Sequence, residues 1–318
     1  MGPLANSYDL RIQGRRLDPA LMRSGTPETE TSSTSTRLAA ISVSYGSESV
    51  LEPFFESLRK ATNCVPVILL ADNKVTPGSR VEAIALEYGA QYLPMSSNRG
   101  YGGAINAAAK ILPAEVEWIL ITNPDVTFEA GAVDTLMARG DSDPRIGALG
   151  PRILTATGDV YPSARAIPSL RNGIGHALLA GVWAANPWSA AYRNASNPTR
   201  RVGWLSGACL LVRRTVFDKV GGFDAEFFMY FEDVDLGYRL SRLGFANVYE
   251  PAAVVTHTGA HSTATDAADM LTAHHESAKR FLSKKYSGAL LWPVRTALSA
   301  GLNLRSWMLD RKNRANRQ

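Results

Sequence analysis

Cysteine is scarce: Cys64 and Cys209 are the only two in 318 residues. Two isolated thiols supply neither a disulfide framework nor a zinc-ligand spacing, so a reducing, cytoplasmic setting is the expectation. No run of about 18 apolar residues occurs, and no membrane-spanning helix is expected. A cleavable leader is not expected either. Residues 1–37 are polar and include Thr26-Pro27-Glu28-Thr29-Glu30-Thr31-Ser32-Ser33-Thr34-Ser35-Thr36, which holds too little apolar surface to fold and reads as a disordered tail. No G-x-G-x-x-G follows the first apolar run, and no Gly-rich loop carries a P-loop lysine. These absences argue against a dinucleotide-dependent oxidoreductase and a P-loop nucleotidase.

What is present is an ordinary globular composition, 45% hydrophobic and 20% charged. The net charge of +5 is unevenly placed. Residues 279–318 carry ten Lys or Arg against the single acid Asp310, leaving the rest of the chain at −4. The same segment holds Leu290, Leu291, Trp292, Leu302, Trp307 and Met308. Basic residues interleaved with Trp and Leu suit a helix lying on an anionic membrane surface, and residues 286–318 are assigned that role. Nucleic acid is not an expected partner, because the charge sits in one tail without a recognised binding motif.

Between tail and basic segment, residues 38–285 alternate apolar strands with amphipathic helices. Strands are read at 37–45, 65–71, 91–93 and 116–122, with helices at 50–58, 81–88 and 104–112 between them. This alternation predicts an α/β fold with a mostly parallel sheet covered on both faces. Short strands at 146–149, 208–212, 247–249 and 253–256 follow, with a long irregular stretch between Pro162 and Arg201. Helices are read from near Glu232 and from about 265 to 284.

In such sheets ligands bind beyond the carboxyl ends of the strands. Those ends carry Ser44 and Tyr45, Asp72 and Asn73, and Asn123 and Asp125. Asn123-Pro124-Asp125 closes a hydrophobic strand. A carboxylate there can hold a hard divalent cation such as Mg2+ or Mn2+ and, through it, a diphosphate; a turn with Asp as helix cap is the plainer alternative. Asn98-Arg99-Gly100-Tyr101-Gly102-Gly103 is a Gly-rich entry to a helix, where backbone N–H groups can approach an anion.

The run Phe227-Phe228-Met229-Tyr230-Phe231-Glu232-Asp233-Val234-Asp235 drives five large apolar side chains into three carboxylates. Unpaired buried charge is expensive, so these acids look aimed at a site. Leu236, Leu240 and Leu243 mark the buried stripe of the helix, and Asp233 falls on its inward face. Asp233 and Glu232 are therefore the candidates for a general base. Asp235 pairs with Arg239 at i,i+4 and reads as an ordinary surface ion pair. His257 and His261 follow a strand end and could complete a metal site. Trp204-Leu205-Ser206-Gly207-Ala208 offers an aromatic platform and a flexible backbone suited to sugars.

In order and spacing, these motifs resemble the inverting glycosyltransferases of family 2, which have the GT-A fold; the resemblance covers residues 38–262. Residues 162–168, Asn186-Pro187-Trp188, Ala191-Tyr192-Arg193 and His257…His261 are similar to the actinobacterial rhamnosyltransferases of cell-wall linker synthesis. The resemblance implies transfer of L-rhamnose from dTDP-L-rhamnose to a polyprenyl-diphosphate-linked GlcNAc acceptor at the inner face of the plasma membrane. It further implies a nucleotide-sugar-binding half over 38–145, with Ser44, Tyr45, Asp72, Asn73, Asn98, Arg99, Gly100, Tyr101 and Asn123 facing the donor. Residues 146–285 would form the acceptor half, with Trp204, Ser206, Gly207, Tyr230 and Phe231 facing the acceptor. Asp233 would be the base with Glu232 beside it, and Asp125 and His257 would hold the metal. Many relatives have Asp-x-Asp where this chain has Asn123-Pro124-Asp125, and one carboxylate instead of two implies looser metal binding. Another donor sugar, galactofuranose or mannose, and a non-catalytic glycolipid-binding role are the competing readings.

Overall fold

The structure, a computed structural model, describes residues 36–169, 198–259, 267–288, 291–293 and 296. The tail over 1–35, the irregular stretch over 170–197 (with Asn186-Pro187-Trp188 and Ala191-Tyr192-Arg193), His261, and most of the basic segment after 288 lie outside the described residues. Arg37 is already tied to the fold: its guanidinium reaches Glu117 at 2.7 Å and Asp141 at 3.1 Å.

The elements run β1 (Leu38–Ser44), α1 (Glu48–Ala61), β2 (Val67–Asp72), α2 (Val81–Glu87), β3 (Gln91–Pro94), α3 (Gly100–Ala109), β4 (Trp118–Thr122), β5 (Val126–Phe128), α4 (Ala132–Asp141) and β6 (Ile146–Leu154). They continue with β7 (Val160–Tyr161), β8 (Ala164–Arg165), β9 (Arg200–Val202), β10 (Trp204–Leu205), β11 (Cys209–Arg213), α5 (Arg214–Lys219), α6 (Glu232–Arg242), β12 (Ala246–His257) and α7 (Ala267–Lys285). The main sheet has the order β3-β2-β1-β4-β11-β6-β12-β5. Strands β3, β2, β1 and β4 pair in parallel, as do β6 and β12, while β11 is antiparallel to both β4 and β6. Six of the eight strands on this path therefore point the same way, with β11 and β5 reversed.

Both faces of the sheet are buried, as a crossover topology demands. Successive side chains of β1 alternate between two cores. Leu38 and Ala40 join Phe54, Phe55, Trp118 and Leu136 on one face. Ala39, Ile41 and Val43 join Ile105, Phe217, Phe223, Leu236 and Leu240 on the other.

Several elements depart from the sequence reading for local reasons. Helix α3 begins at Gly100 rather than near residue 104, because Gly102 packs where an added Cβ would lie 2.7 Å from the Phe223 side chain. The strands expected at 247–249 and 253–256 are one strand, β12, with a register shift between Glu250 and Val254. Pro251 has no N–H to give the ladder, and the irregularity absorbs that loss. Leu243, expected in the buried stripe of α6, is 45% exposed because the helix ends at Arg242. Among the described residues no helix is long and apolar enough to cross a membrane.

Trp118 is fully buried, its indole N–H bonds the Asp141 carboxylate at 3.0 Å, and the Arg213 guanidinium lies 4.3 Å from its ring. Trp118→Ala is expected to destabilise the fold by about 3–5 kcal/mol, measured as a lower denaturation midpoint at unchanged slope.

Candidate active site

The parallel strands deliver their carboxyl ends to one edge of the sheet. Ser44 pairs in register with Asp72, and Thr122 at the end of β4 pairs with Cys209 at the start of β11. Ser44 is buried, and its carbonyl accepts the Asn73 N–H at 2.9 Å. Tyr45 is half exposed, with the Lys74 ammonium 5.1 Å from its ring. Asp72 is buried and its carboxylate is already engaged, accepting from Tyr92 Oη at 2.9 Å and from the Lys74 N–H at 3.1 Å. Sequence reasoning did not anticipate Tyr92.

The Gly-rich entry is bound to this edge through Asn73. The Asn73 amide donates to the Gly100 carbonyl at 3.0 Å and its oxygen accepts the Arg99 N–H at 3.2 Å. Asn98 Oδ1 accepts the Gly100 N–H at 2.9 Å. Gly100 has φ +69°, and an added Cβ would overlap the Phe228 carbonyl, so the position requires glycine on two counts.

Tyr101 then links the two halves of the chain. Its N–H donates to the Phe228 carbonyl at 3.2 Å, and its hydroxyl donates to the Gly207 carbonyl at 2.6 Å. The N–H of Gly207 donates to Asp233 Oδ2 at 2.9 Å, while Asp233 Oδ1 accepts the Val234 N–H at 2.7 Å. Tyr101 and Asp233 thus meet through the backbone of the single residue Gly207. Ser206 lies beside them, its N–H bonded to the Ser163 carbonyl at 2.7 Å. Trp204 is half-buried against α6, where Gly237 leaves room for it, and its indole donates to the Ala166 carbonyl at 3.2 Å. Arg165, opposite Trp204 in the β8–β10 pair, was not singled out from the sequence; its charge favours the ionised form of Asp233.

The aromatic lead-in divides. Phe227 is buried with Val234 and Phe281, whereas Phe228 is 49% exposed. Tyr230 and Phe231 both adopt left-handed backbone, at φ +66° and +65°. A non-glycine residue in such a conformation costs on the order of 1–3 kcal/mol, and strain of this kind collects at functional sites. Its effect here is to turn the chain abruptly so that α6 starts with Glu232 and Asp233. The three acids of the first turn have separate environments. Asp235, read from sequence as a surface pair, is fully buried, with Arg239 at 2.5 Å and Lys284 of α7 at 2.7 Å. Glu232 is 7% exposed and its Oε2 has no hydrogen-bond partner. Burial and then the charge of Asp233 push the Glu232 carboxyl up to about 8. Burial also raises Asp233, against the opposing pull of the Gly207 and Val234 N–H groups.

At the other end of the crevice, β5 and β12 bring Asp125 and His257 together. His257 Nε2 lies 3.1 Å from Asp125 Oδ1 and 3.2 Å from the Asn123 amide. Asp125 Oδ2 accepts the Gly259 N–H at 3.0 Å. Burial would raise this carboxyl, but His257 and the backbone donors outweigh it and hold the group below its usual range. Among the described residues no group of three or more His, Cys, Asp or Glu gathers around one point. One carboxylate oxygen set and one imidazole suit a divalent cation whose remaining positions come from a diphosphate. Asp233 and Asp125 thus hold opposite electrostatic positions, one carboxyl raised and one lowered.

The fold is the GT-A type, and solved structures share it. A mannosyltransferase from Pyrobaculum calidifontis, in complex with GDP-Man and Mn2+, matches with a TM-score of 0.53 at 14% identity, covering 83% of this chain and 69% of its own. Residues 40–221 match the family described as glycosyl transferase family 2, and residues 188–273 match glycosyltransferase like family 2. The chain is 44% identical over 287 residues to the N-acetylglucosaminyl-diphospho-decaprenol L-rhamnosyltransferase of Mycobacterium tuberculosis, covering 87% of this chain and 94% of that protein. It is 27% identical over 251 residues to the rhamnosyltransferase WbbL of Escherichia coli K12, covering 77% and 92%. The chain belongs to glycosyltransferase family 2.

Glu232 sets a pH dependence of stability. Because its folded-state value lies above that of the free carboxyl, the folded protein holds a proton that the unfolded chain releases. Its stabilisation is complete below about pH 4.5 and is lost as pH rises towards 8. Glu232→Gln should therefore gain Tm relative to the parent as pH is raised from 5 to 8.5; parallel Tm curves across that window would contradict the assignment.

Proposed function

We propose that the protein is an inverting rhamnosyltransferase that moves L-rhamnose from dTDP-L-rhamnose to the GlcNAc of a polyprenyl-diphosphate-linked acceptor. The observation that carries this reading is the 44% identity along nearly the whole of a rhamnosyltransferase acting on N-acetylglucosaminyl-diphospho-decaprenol. The geometry supports it, because two partly buried carboxylates, Asp125 and Asp233, are held by specific partners at the edge where the parallel strands end.

In a single displacement the acceptor hydroxyl attacks the anomeric carbon as the bond to the diphosphate breaks, and its proton goes to Asp233. The configuration inverts and no enzyme nucleophile is needed. Gly207 and Val234 N–H groups orient the Asp233 carboxylate. Burial and the neighbouring Asp233 charge favour the protonated form of Glu232, which disfavours two negative charges on the adjacent pair. Asp125 and His257 are the residues that would hold Mg2+ or Mn2+, and such a cation, when bound, neutralises charge developing on the departing diphosphate. Ser44, Tyr45, Asp72, Asn73, Asn98, Arg99, Gly100, Tyr101 and Asn123 line the donor side. Of these, Asp72 could act on the nucleotide only by exchanging one of its present partners. Trp204, Ser206, Gly207, Tyr230 and Phe231 border the acceptor side. Galactofuranose and mannose remain alternative donor sugars, and the panel below separates them.

The decisive experiment incubates the enzyme with dTDP-L-rhamnose, UDP-galactofuranose or GDP-mannose and a GlcNAc-diphosphoryl-lipid. Transfer from dTDP-L-rhamnose alone is expected; transfer only from another donor would reject the rhamnose assignment. Asp233→Asn should lower kcat by about 10²–10⁴-fold with donor binding retained.

The basic segment after α7 supports a peripheral position on the inner face of the plasma membrane, where the lipid-linked acceptor lies. Leu291 and Trp292 are exposed at its start. Removing residues after 285 should release the protein from vesicles containing anionic lipid while leaving it folded; undiminished vesicle binding would refute the anchor.

A further inference from the structure

Helix α7 touches the strained approach to the proposed base at each of its last turns. His274 presents its ring edge-on to Tyr230 and Phe231, at centroid distances of 5.5 and 5.3 Å. Ser277 Oγ donates to the Met229 carbonyl at 2.8 Å. Phe281, fully buried, lies 5.8 Å from both the Phe231 and Tyr238 rings. Lys284 then places its ammonium 2.7 Å from the buried Asp235 carboxylate and 2.6 Å from Asp224. The two left-handed residues are thus packed by the middle of α7, and the first turn of α6 is tied down by its end.

The ion pair is asymmetric in a useful way. Arg239 also holds Asp235, at 2.5 Å, and is itself fixed by donating to the Val220 carbonyl at 2.8 Å. Arg239 belongs to α6, so its bond to Asp235 lies within that helix, and it reaches outside only through the Val220 carbonyl near the helix's later turns. Lys284 belongs to a different element. It is the cation that ties the Asp235 carboxylate, in the first turn of α6, directly to another helix. Deleting it does not orphan the Asp235 charge, because Arg239 remains.

We propose that Lys284 is a positioning residue for catalysis: by bridging Asp224 and Asp235 it clamps the first turn of α6, and thereby holds the Asp233 carboxylate on the Gly207 N–H. This rests on the assignment of Asp233 as the base. The consequence is that the helix leading into the basic C-terminal segment also sets the geometry of the reacting end of the crevice.

The test compares full-length Lys284→Met and Lys284→Arg with Lys279→Met, which removes an exposed pair on the same helix with Glu276. Lys284→Met is expected to lower kcat by about 10- to 100-fold, the scale of a misplaced catalytic group, with the donor KM unchanged. Lys284→Arg should recover most of that loss, and Lys279→Met should match the parent. Hydrogen exchange supplies a readout independent of turnover: the Gly207 amide should lose protection in Lys284→Met and keep it in Lys279→Met. Parental kcat in Lys284→Met, or a loss explained wholly by a smaller folded fraction, would overturn the proposal. If the parent transfers no sugar, the rhamnosyltransferase reading fails, and unchanged Gly207 exchange would still reject the clamp.

Discussion

The backbone of Gly207 is the joint on which the site depends. Its carbonyl takes the Tyr101 hydroxyl and its N–H is given to Asp233, so the two peptide groups flanking one residue bond α3 on one side and α6 on the other. A side chain at this position would press on the Tyr101 ring, since an added Cβ would lie 3.3 Å from it, while meeting Asp233 Cβ at an ordinary contact distance of 3.6 Å. Gly207 sits in the short link between β10 and β11, and β11 runs antiparallel to β4. The reversed strand therefore has a purpose in the site. It brings its start, rather than its end, to the edge where the parallel strands finish. That places a backbone donor beside carboxyl-terminal ends that otherwise present acceptors and acids.

Electrostatics along the crevice follow from burial and partners rather than from residue type. Asp125 and Asp233 are both carboxylates removed from water, and burial alone would raise both. Asp125 has an imidazole and a loop N–H against it and ends up lowered, which suits the cation site proposed for it. Asp233 is raised by burial despite its N–H donors and the charge of Arg165, which suits the proposed proton acceptor. Glu232 takes the remaining burden: its unpartnered, buried oxygen makes it the more reluctant of the two to ionise, so its charge does not compete with that of Asp233.

Most of the fold was legible because β1, β2 and β4 are buried on both faces and read as continuous apolar runs. Their polar ends do gather at one edge of the sheet, and the Glu232–Asp235 cluster located the start of α6. What could not be read was tertiary. The residue patterns do not reveal that Asp72 is held by Tyr92, twenty residues away on β3, and the meeting of Asp125 with His257 was implied only by the family resemblance. Local rules also misplaced boundaries where packing overrode them. Gly102 and Gly103 discourage a helix, yet α3 passes through them because Phe223 needs the space. The i,i+4 spacing of Asp235 and Arg239 was correct as a pair and wrong as a surface, because spacing along one helix says nothing of what another helix covers.

The three acids that open α6 show why the cluster is tolerated at a buried helix start. All three sit in the first turn, where the backbone N–H groups and the helix dipole favour negative charge. That general attraction does not distinguish them; their partners do. Asp235 is neutralised by two cations and anchors the helix. Glu232 has one carboxyl oxygen without a hydrogen-bond partner, and burial favours its protonated form. Asp233 is held by N–H donors that orient it without neutralising it, which leaves it the acid able to act as a base. The left-handed turn at Tyr230 and Phe231 starts α6 at Glu232, and the 3.6-residue turn of the helix then points Asp233 away from the side on which Asp235 meets α7.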